Sequence, residues 1–213
     1  MKYRGIIFDL DGVLCYSDKY HYQAWKKLAN ELNLSFDEKM NESLRGVSRM
    51  ESLEIILDYN HRKCDEKEKQ QLAEKKNKFY VELINNMTQK DMAHGTIETL
   101  VRLRQVGIKT AIGSSSKNTK TILKKLELEK YFDAVCDGNC ISRSKPDPEV
   151  FLKAAEQLHM SPENCLVVED AIAGVEAACK GGFDSAAIGD AVNHPNATFY
   201  IDELGKLTLI VEI

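Results

Sequence analysis

The sequence predicts an α/β protein: a doubly wound, mostly parallel sheet with a helical cap domain inserted after the first strand. Three observations point there. Short apolar runs alternate with helical patterns over most of the chain, and the runs are nearly continuous, as strands buried on both faces require. Between residues 16 and 88 no convincing strand occurs, and charged amphipathic patterns take over. The first run ends in two carboxylates, Asp9 and Asp11, and in open parallel sheets the ligand site lies beyond the carboxyl ends of the strands.

The elements follow in order. "RGIIFDL" (4–10) is the first strand. The insert opens on a helix whose Tyr22, Trp25, Leu28, Ala29 and Leu32 share one face. In "GVSRMESL" Ser48 and Glu51 have capping-box spacing, which sets Arg49 at a helix N-terminus. "DEKEKQQLAEKKNKFYVELI" repeats that spacing with Asp65 and Glu68; Leu72, Phe79 and Leu83 form its apolar stripe, and Lys76 falls on its polar side. The alternating pattern returns at about Gly95. "TIETLVRLRQVG" is a helix closed by Gly107, "IKTAIGS" (108–114) a strand and "SKNTKTILKKLEL" a helix. "DAVCD" (133–137) is a weaker strand. "DPEVFLKAAEQL" is a helix with Asp147 as N-cap and Pro148 in its first position. "NCLVVED" (164–170) is a strand, "AIAGVEAACKGG" a helix ending in paired glycines, "SAAIGD" (185–190) a strand and "TFYI" (198–201) a weaker one. The expected domains are a core of 1–15 and 89–213 and a cap of 16–88, with hinges at about 15–17 and 86–94.

The 213 residues suffice for one good-sized domain, or a core with a smaller insert, and 43% are apolar. A formal net charge of −4 gives no electrostatic footprint for nucleic acid or an anionic membrane, so an anionic substrate needs local basic groups. No run approaches the roughly 18 apolar residues of a membrane span, and the two aspartates interrupt any signal-peptide core. The six cysteines form no C-x-x-C pair, and several sit in apolar runs; Cys136 and Cys140 have no second cluster with which to build a metal site. These features lead to the expectation of a reduced, cytoplasmic, monomeric protein.

Two carboxylates at a strand end suit phosphoryl transfer. One attacks phosphorus and becomes an aspartyl phosphate, while its neighbour moves protons. D-x-D-G is also an ordinary turn with capping aspartates. The other strand ends bear on the choice. Ser114, Ser115 and Ser116 stand where the second core strand meets its helix, able to hold phosphate oxygens or simply to cap. Lys145 precedes a helix start, and Glu169 with Asp170 ends another strand, offering the oxygens a hard cation wants. Each feature has an ordinary structural explanation; all four in this order do not share one.

In that order, D-x-D-G-V, the S-x-S segment, the K-P segment and the E-D pair resemble the haloacid dehalogenase-like phosphotransferases, whose core is Rossmann-like. "YHYQAWKKLA", "LRGVSRMESL", "SSSKN", "YFDAV", "SKPDPEVF" and "EDAIAGVEA" are similar, at nearly unchanged spacing, to the hexose-phosphate mutases of that family. The resemblance implies an isomerase that interconverts β-glucose 1-phosphate and glucose 6-phosphate through an aspartyl-phosphate enzyme and β-glucose 1,6-bisphosphate. It makes Asp9 the nucleophile and Asp11 the general acid/base. Mg2+ is implied on Asp9, the Asp11 carbonyl, Asp170 and Glu169. Ser114, Ser115 and Lys145 would bind the transferring phosphoryl group, and Arg49, Ser116, Lys117 and Asn118 the distal phosphate. Trp25, Gly46, Val47, Ser48 and Ser52 would complete the cap side of the substrate site. His21 matches a histidine that faces Asp11, and Lys76 would touch sugar or phosphate; taken alone, Arg49 reads equally as a surface ion pair and Lys76 as a solvated lysine.

Two departures stand out. Tyr16 and Ser17 replace a common Asp and Thr, and Ala171 follows the acidic pair where a serine is common. The alternatives on the same scaffold are a capped Mg-dependent phosphatase of small sugar phosphates and a phospho-receiver without turnover. Receivers carry no helical insert after strand one. Lys145–Pro146 is a candidate cis peptide.

Overall fold

The computed structural model describes residues 2–44 and 47–211. Six strands form one sheet: β1 (Gly5–Phe8), β2 (Lys109–Gly113), β3 (Ala134–Cys136), β4 (Cys165–Glu169), β5 (Asp184–Ala187) and β6 (Phe199–Tyr200). Their order is β3-β2-β1-β4-β5-β6 and every pairing is parallel. The first strand is therefore central, with Ile7 opposite both Ala111 and Val167.

Strand alternation divides the core. Ile6 and Phe8 enter one layer with Leu100 and Leu103 of α5 (Thr96–Gln105), Ile122 and Leu123 of α6 (Thr119–Lys125) and Leu207 of α9 (Leu207–Val211). Ile7 enters the other with Val150, Phe151 and Ala154 of α7 (Glu149–Gln157) and Ala177 and Ala178 of α8 (Ile172–Lys180). Each fully buried Ile, Leu or Phe contributes about 1.5–3 kcal/mol of transfer free energy. This two-sided burial is why the strands read as unbroken apolar runs.

Between β1 and α5 lie α1 (Asp18–Glu31), α2 (Glu38–Glu42), α3 (Arg49–Tyr59) and α4 (Glu66–Ile84). They enclose an apolar cluster of their own, including Trp25, Leu28, Phe36, Leu53, Leu57 and Leu72. The chain leaves the sheet at Leu14–Tyr16 and returns at Asp91–Ala93, and the two crossings are hydrogen-bonded antiparallel. Tyr16 N–H donates to the Asp91 carbonyl (2.8 Å) and Ala93 N–H to the Leu14 carbonyl (3.0 Å). The buried Asp91 carboxylate accepts from Thr88 N–H (2.8 Å), the Tyr20 hydroxyl (3.2 Å) and Lys19. Farther out, Asn118 Nδ2 donates to Asn77 Oδ1 of α4 (2.9 Å).

Several local expectations shift. Helix α7 starts one residue late: Pro148 is its N-cap, and Asp147, one place earlier, accepts from Glu149 N–H (3.0 Å). The Ser48–Glu51 box forms reciprocally, but at α4 only half does. Asp65 accepts from Glu68 N–H, while the Glu68 carboxylate turns to Arg62. The buried face of α4 is Leu72, Ala73, Lys76, Tyr80 and Ile84, with Phe79 and Leu83 only partly covered. Lys76 thus leaves the polar side assigned to it, because that face packs on α1 and the cavity described below. Strand β5 stops at Ala187, since Gly189 turns the chain with φ at 61°. The Lys145–Pro146 peptide is cis, and all six cysteines are free thiols. Among the described residues no helix is long and apolar enough to cross a membrane.

Candidate active site

Asp9 still belongs to the sheet through its backbone, whose N–H donates to the Val168 carbonyl (2.9 Å), so its side chain has a fixed origin. Three residues on, Gly12 turns the chain with φ at 85°. A Cβ there would lie 2.0 Å from Asp170 Oδ2, so only glycine allows both the turn and the approach of the β4 end. Gly174 plays the same spatial part for Glu169, whose carboxylate fills the place of a Cβ.

Lys145, 2% exposed, joins the strand ends: Nζ donates to Asp9 Oδ1 and Glu169 Oε1, each at 2.5 Å. Burial opposes its charge, but the Asp9 and Glu169 carboxylates outweigh burial and hold the ammonium well above the usual lysine range. Glu169 Oε2 accepts from Ala171 N–H (2.8 Å). One ammonium does not balance this cluster. Burial, then Glu169 and Asp9, pushes Asp170 up to about 9. Burial and Asp9 push Asp11 up to about 7 against the Ser17 hydroxyl, which donates to Asp11 Oδ1. Oxygen-only donors with surplus negative charge fit a hard cation. Among the described residues no three acidic, histidine or cysteine side chains converge as a finished metal cage, and Asp9 and Glu169 turn toward Lys145 instead.

After β2, the serine loop is held by its own hydroxyls. Ser114 Oγ accepts from Ser116 N–H (3.2 Å), and Ser116 Oγ from Asn118 N–H (3.2 Å). Accepting that bond leaves the Ser114 proton free to donate. Ser115 Oγ is buried with no partner.

Facing these groups, the capping box of Ser48 and Glu51 seats Arg49 in the first turn of α3. Lys76, 2% exposed, lies 2.9 Å from His21 Nδ1 and over the rings of Trp25 and Tyr80, at 4.6 and 4.8 Å from their centres. Burial and then Arg49 push Lys76 well below the lysine range; burial, Lys76 and Arg49 push His21 well below its own, leaving a neutral imidazole. The wall is a desolvated, cation-bearing surface opposite a carboxylate cluster, and the two enclose a cavity of about 540 Å³.

A sequence profile described as haloacid dehalogenase-like hydrolase matches residues 6–188. The chain belongs to the haloacid dehalogenase-like family. It is 38% identical over 208 residues to the β-phosphoglucomutase of Bacillus subtilis, covering 97% of this chain and 92% of that one. The crystal structure of β-phosphoglucomutase from Clostridium difficile matches with a TM-score of 0.93 at 38% identity, over 99% of this chain and 96% of that one. A phosphorylated carbohydrates phosphatase of Thermotoga maritima is 31% identical over 84% of this chain and 82% of its own.

In this haloacid dehalogenase-like enzyme the cavity is lined by Asp9, Asp11, Glu169 and Asp170, by Ser114, Ser115, Ser116, Lys117, Asn118 and Lys145, and across from them by His21, Trp25, Val47, Ser48, Arg49, Ser52 and Lys76. Gly46 lies outside the described residues. His21 pairs with Lys76 here, and it is Ser17 that contacts Asp11. Tyr16 is 56% exposed, so its bulk points away from the interior. Asp18, Gly138 and Tyr80 are among the further lining residues that the sequence reading does not single out. Tyr80 was within reach, since it lies one helical turn past Lys76 on the same face.

Proposed function

We propose that the chain is a β-phosphoglucomutase, a magnesium-dependent phosphomutase interconverting β-D-glucose 1-phosphate and D-glucose 6-phosphate through β-glucose 1,6-bisphosphate. The observation that carries this reading is that two walls bearing basic side chains, each suited to a phosphate, line one cavity. Lys145 and the serine loop stand beside Asp9, and Arg49 and Lys76 face them. A bisphosphate needs both at once; a monoester phosphatase needs only the first. The near full-length identity to a β-phosphoglucomutase supports the same choice.

In this reading Asp9 carries the phosphoryl group. Asp11 takes the proton of the sugar C6 hydroxyl as phosphate passes to that oxygen. The bisphosphate then turns end for end, Asp9 removes the C1 phosphate, and Asp11 returns the proton to the C1 oxygen. A carboxyl near pH 7 can serve as both base and acid. Lys145 and Ser114 orient the transferring group, and residues 16–88 act as a cap that excludes water from the labile acyl phosphate. Magnesium would be held by the Asp9, Glu169 and Asp170 carboxylates and the Asp11 carbonyl. When bound, it offsets phosphoryl charge.

The test supplies β-glucose 1-phosphate, magnesium and a trace of the bisphosphate, and follows glucose 6-phosphate and free phosphate separately. Isomer without phosphate release is expected; dominant phosphate release transfers the assignment to the phosphatase. Arg49→Ala should lower isomerisation roughly 10–100-fold, the worth of one charge-assisted anchor, and hydrolysis of a small phosphate monoester only a few-fold. Equal losses would remove Arg49 from the distal site.

The acidic cluster gives a metal-removal prediction. Asp11 and Asp170 bind protons in the fold that an unfolded chain releases near pH 4, so the native state is the more protonated one. Its stability is therefore full below about pH 4 and declines as pH rises through about 7 and about 9. In EDTA the melting temperature should fall by roughly 3–5 °C per pH unit between pH 7 and 9, and magnesium should recover it. Asp170→Asn should flatten the slope; an unchanged slope would contradict the charge assignment.

A further inference from the structure

Asp9 and Glu169 are placed by strands, but the ammonium that joins them is carried by a loop. Residues 137–148, between β3 and α7, hold no helix or strand, and Ser142 and Arg143, on the approach to Lys145, are exposed. A lysine side chain is a charge on a flexible four-carbon stem, so Nζ meets both carboxylates only while the backbone below it keeps its place. Whatever fixes this loop fixes the ammonium.

The loop is gripped by one side chain of α7. Glu149 Oε2 accepts from Ser142 N–H (3.0 Å), the Ser142 hydroxyl (2.9 Å) and Arg143 N–H (2.8 Å). Its Oε1 pairs with Lys153 Nζ (2.6 Å), which also donates to the Cys140 carbonyl (2.6 Å). Past Lys145, Asp147 N–H donates to the Ser144 carbonyl (2.9 Å), and the Asp147 carboxylate accepts from Glu149 N–H. An acid in the first turn of a helix ordinarily serves that helix's own N–H groups. These donors lie six and seven residues upstream instead. Lys153 and then the Arg143 N–H hold the Glu149 carboxyl down to about 2, so the grip stays charged at any working pH. Helix α7 is itself immobilised: Val150 and Phe151 are fully buried against the sheet, and the Phe151 ring faces Lys145 Nζ at 4.6 Å.

Resting on phosphoryl transfer through Asp9 in the reading above, we propose that Glu149 is a positioning residue for Lys145: its carboxylate, steadied by Lys153, clamps residues 142 and 143 to the start of α7 and so holds the Lys145 ammonium on Asp9 and on the phosphoryl group that Asp9 receives. Ser142, Ser144 and Lys145 line the cavity, and Glu149 stands behind them. It touches neither phosphorus nor sugar. A displacement of about 1 Å in a group aimed at a reacting centre can cost about 10²-fold in rate, which sets the size of the effect.

The test is Glu149→Ala. Phosphorylation of Asp9 by acetyl phosphate, hydrolysis of a small phosphate monoester and the turnover number for isomerisation should fall by a similar factor, roughly 10–100-fold, because all three use Lys145 at the transferring group. KM for β-glucose 1-phosphate should stay within about twofold, since with Asp9 loaded the phosphate of the incoming sugar docks on the Arg49 side. Glu149→Gln keeps an oxygen for the Ser142 and Arg143 donors and should recover all three rates to within about threefold of native. Lys153→Met, on a side chain 40% exposed, loosens the clamp without removing it and should cost about threefold in turnover with KM unmoved. Native turnover in Glu149→Ala or in Lys153→Met would overturn the proposal. So would a raised KM at native turnover, a loss confined to isomerisation, or a Gln variant as slow as the Ala variant. These assign Glu149 a substrate contact, a place at the distal phosphate, or an effect of charge rather than of grip. Should Glu149→Ala fail to fold, the Lys153→Met rates decide on the same terms. Native protein that takes no phosphoryl group from acetyl phosphate refutes the underlying reading by itself, before any Glu149 variant is made.

Discussion

Asp9→Asn should leave neither isomerisation nor hydrolysis detectable, a loss on the order of 10⁴ or more. The substitution keeps size and shape but removes the nucleophile, so the defect belongs to chemistry rather than to folding. The geometry supports that separation. Lys145 retains Glu169 as a partner, and one of three crowded carboxylates is gone. The variant should therefore melt no lower than the native protein. Intact-mass measurement after incubation with acetyl phosphate should find one added phosphoryl group on the native chain and none on the variant. Phosphorylation of the variant at native yield, or turnover comparable to native, would remove Asp9 from the mechanism.

Lys145→Met should be the most destabilising single change at the site, costing about 3–5 kcal/mol, because it leaves Asp9 and Glu169 facing each other without their shared cation. Urea denaturation measures it. The loss should be larger at pH 8 than at pH 5, where protonation relieves the crowding, and activity should vanish at both. Lys145 also lies 4.6 Å from the centre of the Phe151 ring, so the chain that carries the charge is set against the apolar layer of α7. A stable Lys145→Met protein whose unfolding is indifferent to pH would mean that the cluster is not held by this ammonium.

Much of this arrangement was legible in the sequence because the forces that specify it are local or periodic. Ile6, Ile7 and Phe8 announce a strand buried on both sides, and Ser48 with Glu51 announces the turn that presents Arg49. The clearest failure was on α4. Its sequence offers two apolar stripes, and periodicity alone favoured Leu72, Phe79 and Leu83. The helix instead buries Lys76 and Tyr80, since His21 of α1 pairs with Lys76 Nζ and lies against the Tyr80 ring. Glu68 and Asp147 show a milder form of the same effect. Each has the residue type and spacing for a cap, but a neighbour, Arg62 in one case and Pro148 in the other, moves the actual partner by one bond. The shared cation of Asp9 and Glu169 had no local signature, because its three members are separated by 136 and 24 residues.

The two chain crossings at Leu14–Tyr16 and Asp91–Ala93 have a mechanical corollary. Hydrogen-bonded side by side, they make a two-ply strap, in which neither strand can slide along the other without breaking the bonds between them. On the mutase reading, a cap carried on this strap would keep its register with the core and land each time with the same side chains over the same strand ends. A substrate that tumbles halfway through its reaction meets an unchanged socket on its second docking, whichever end it presents.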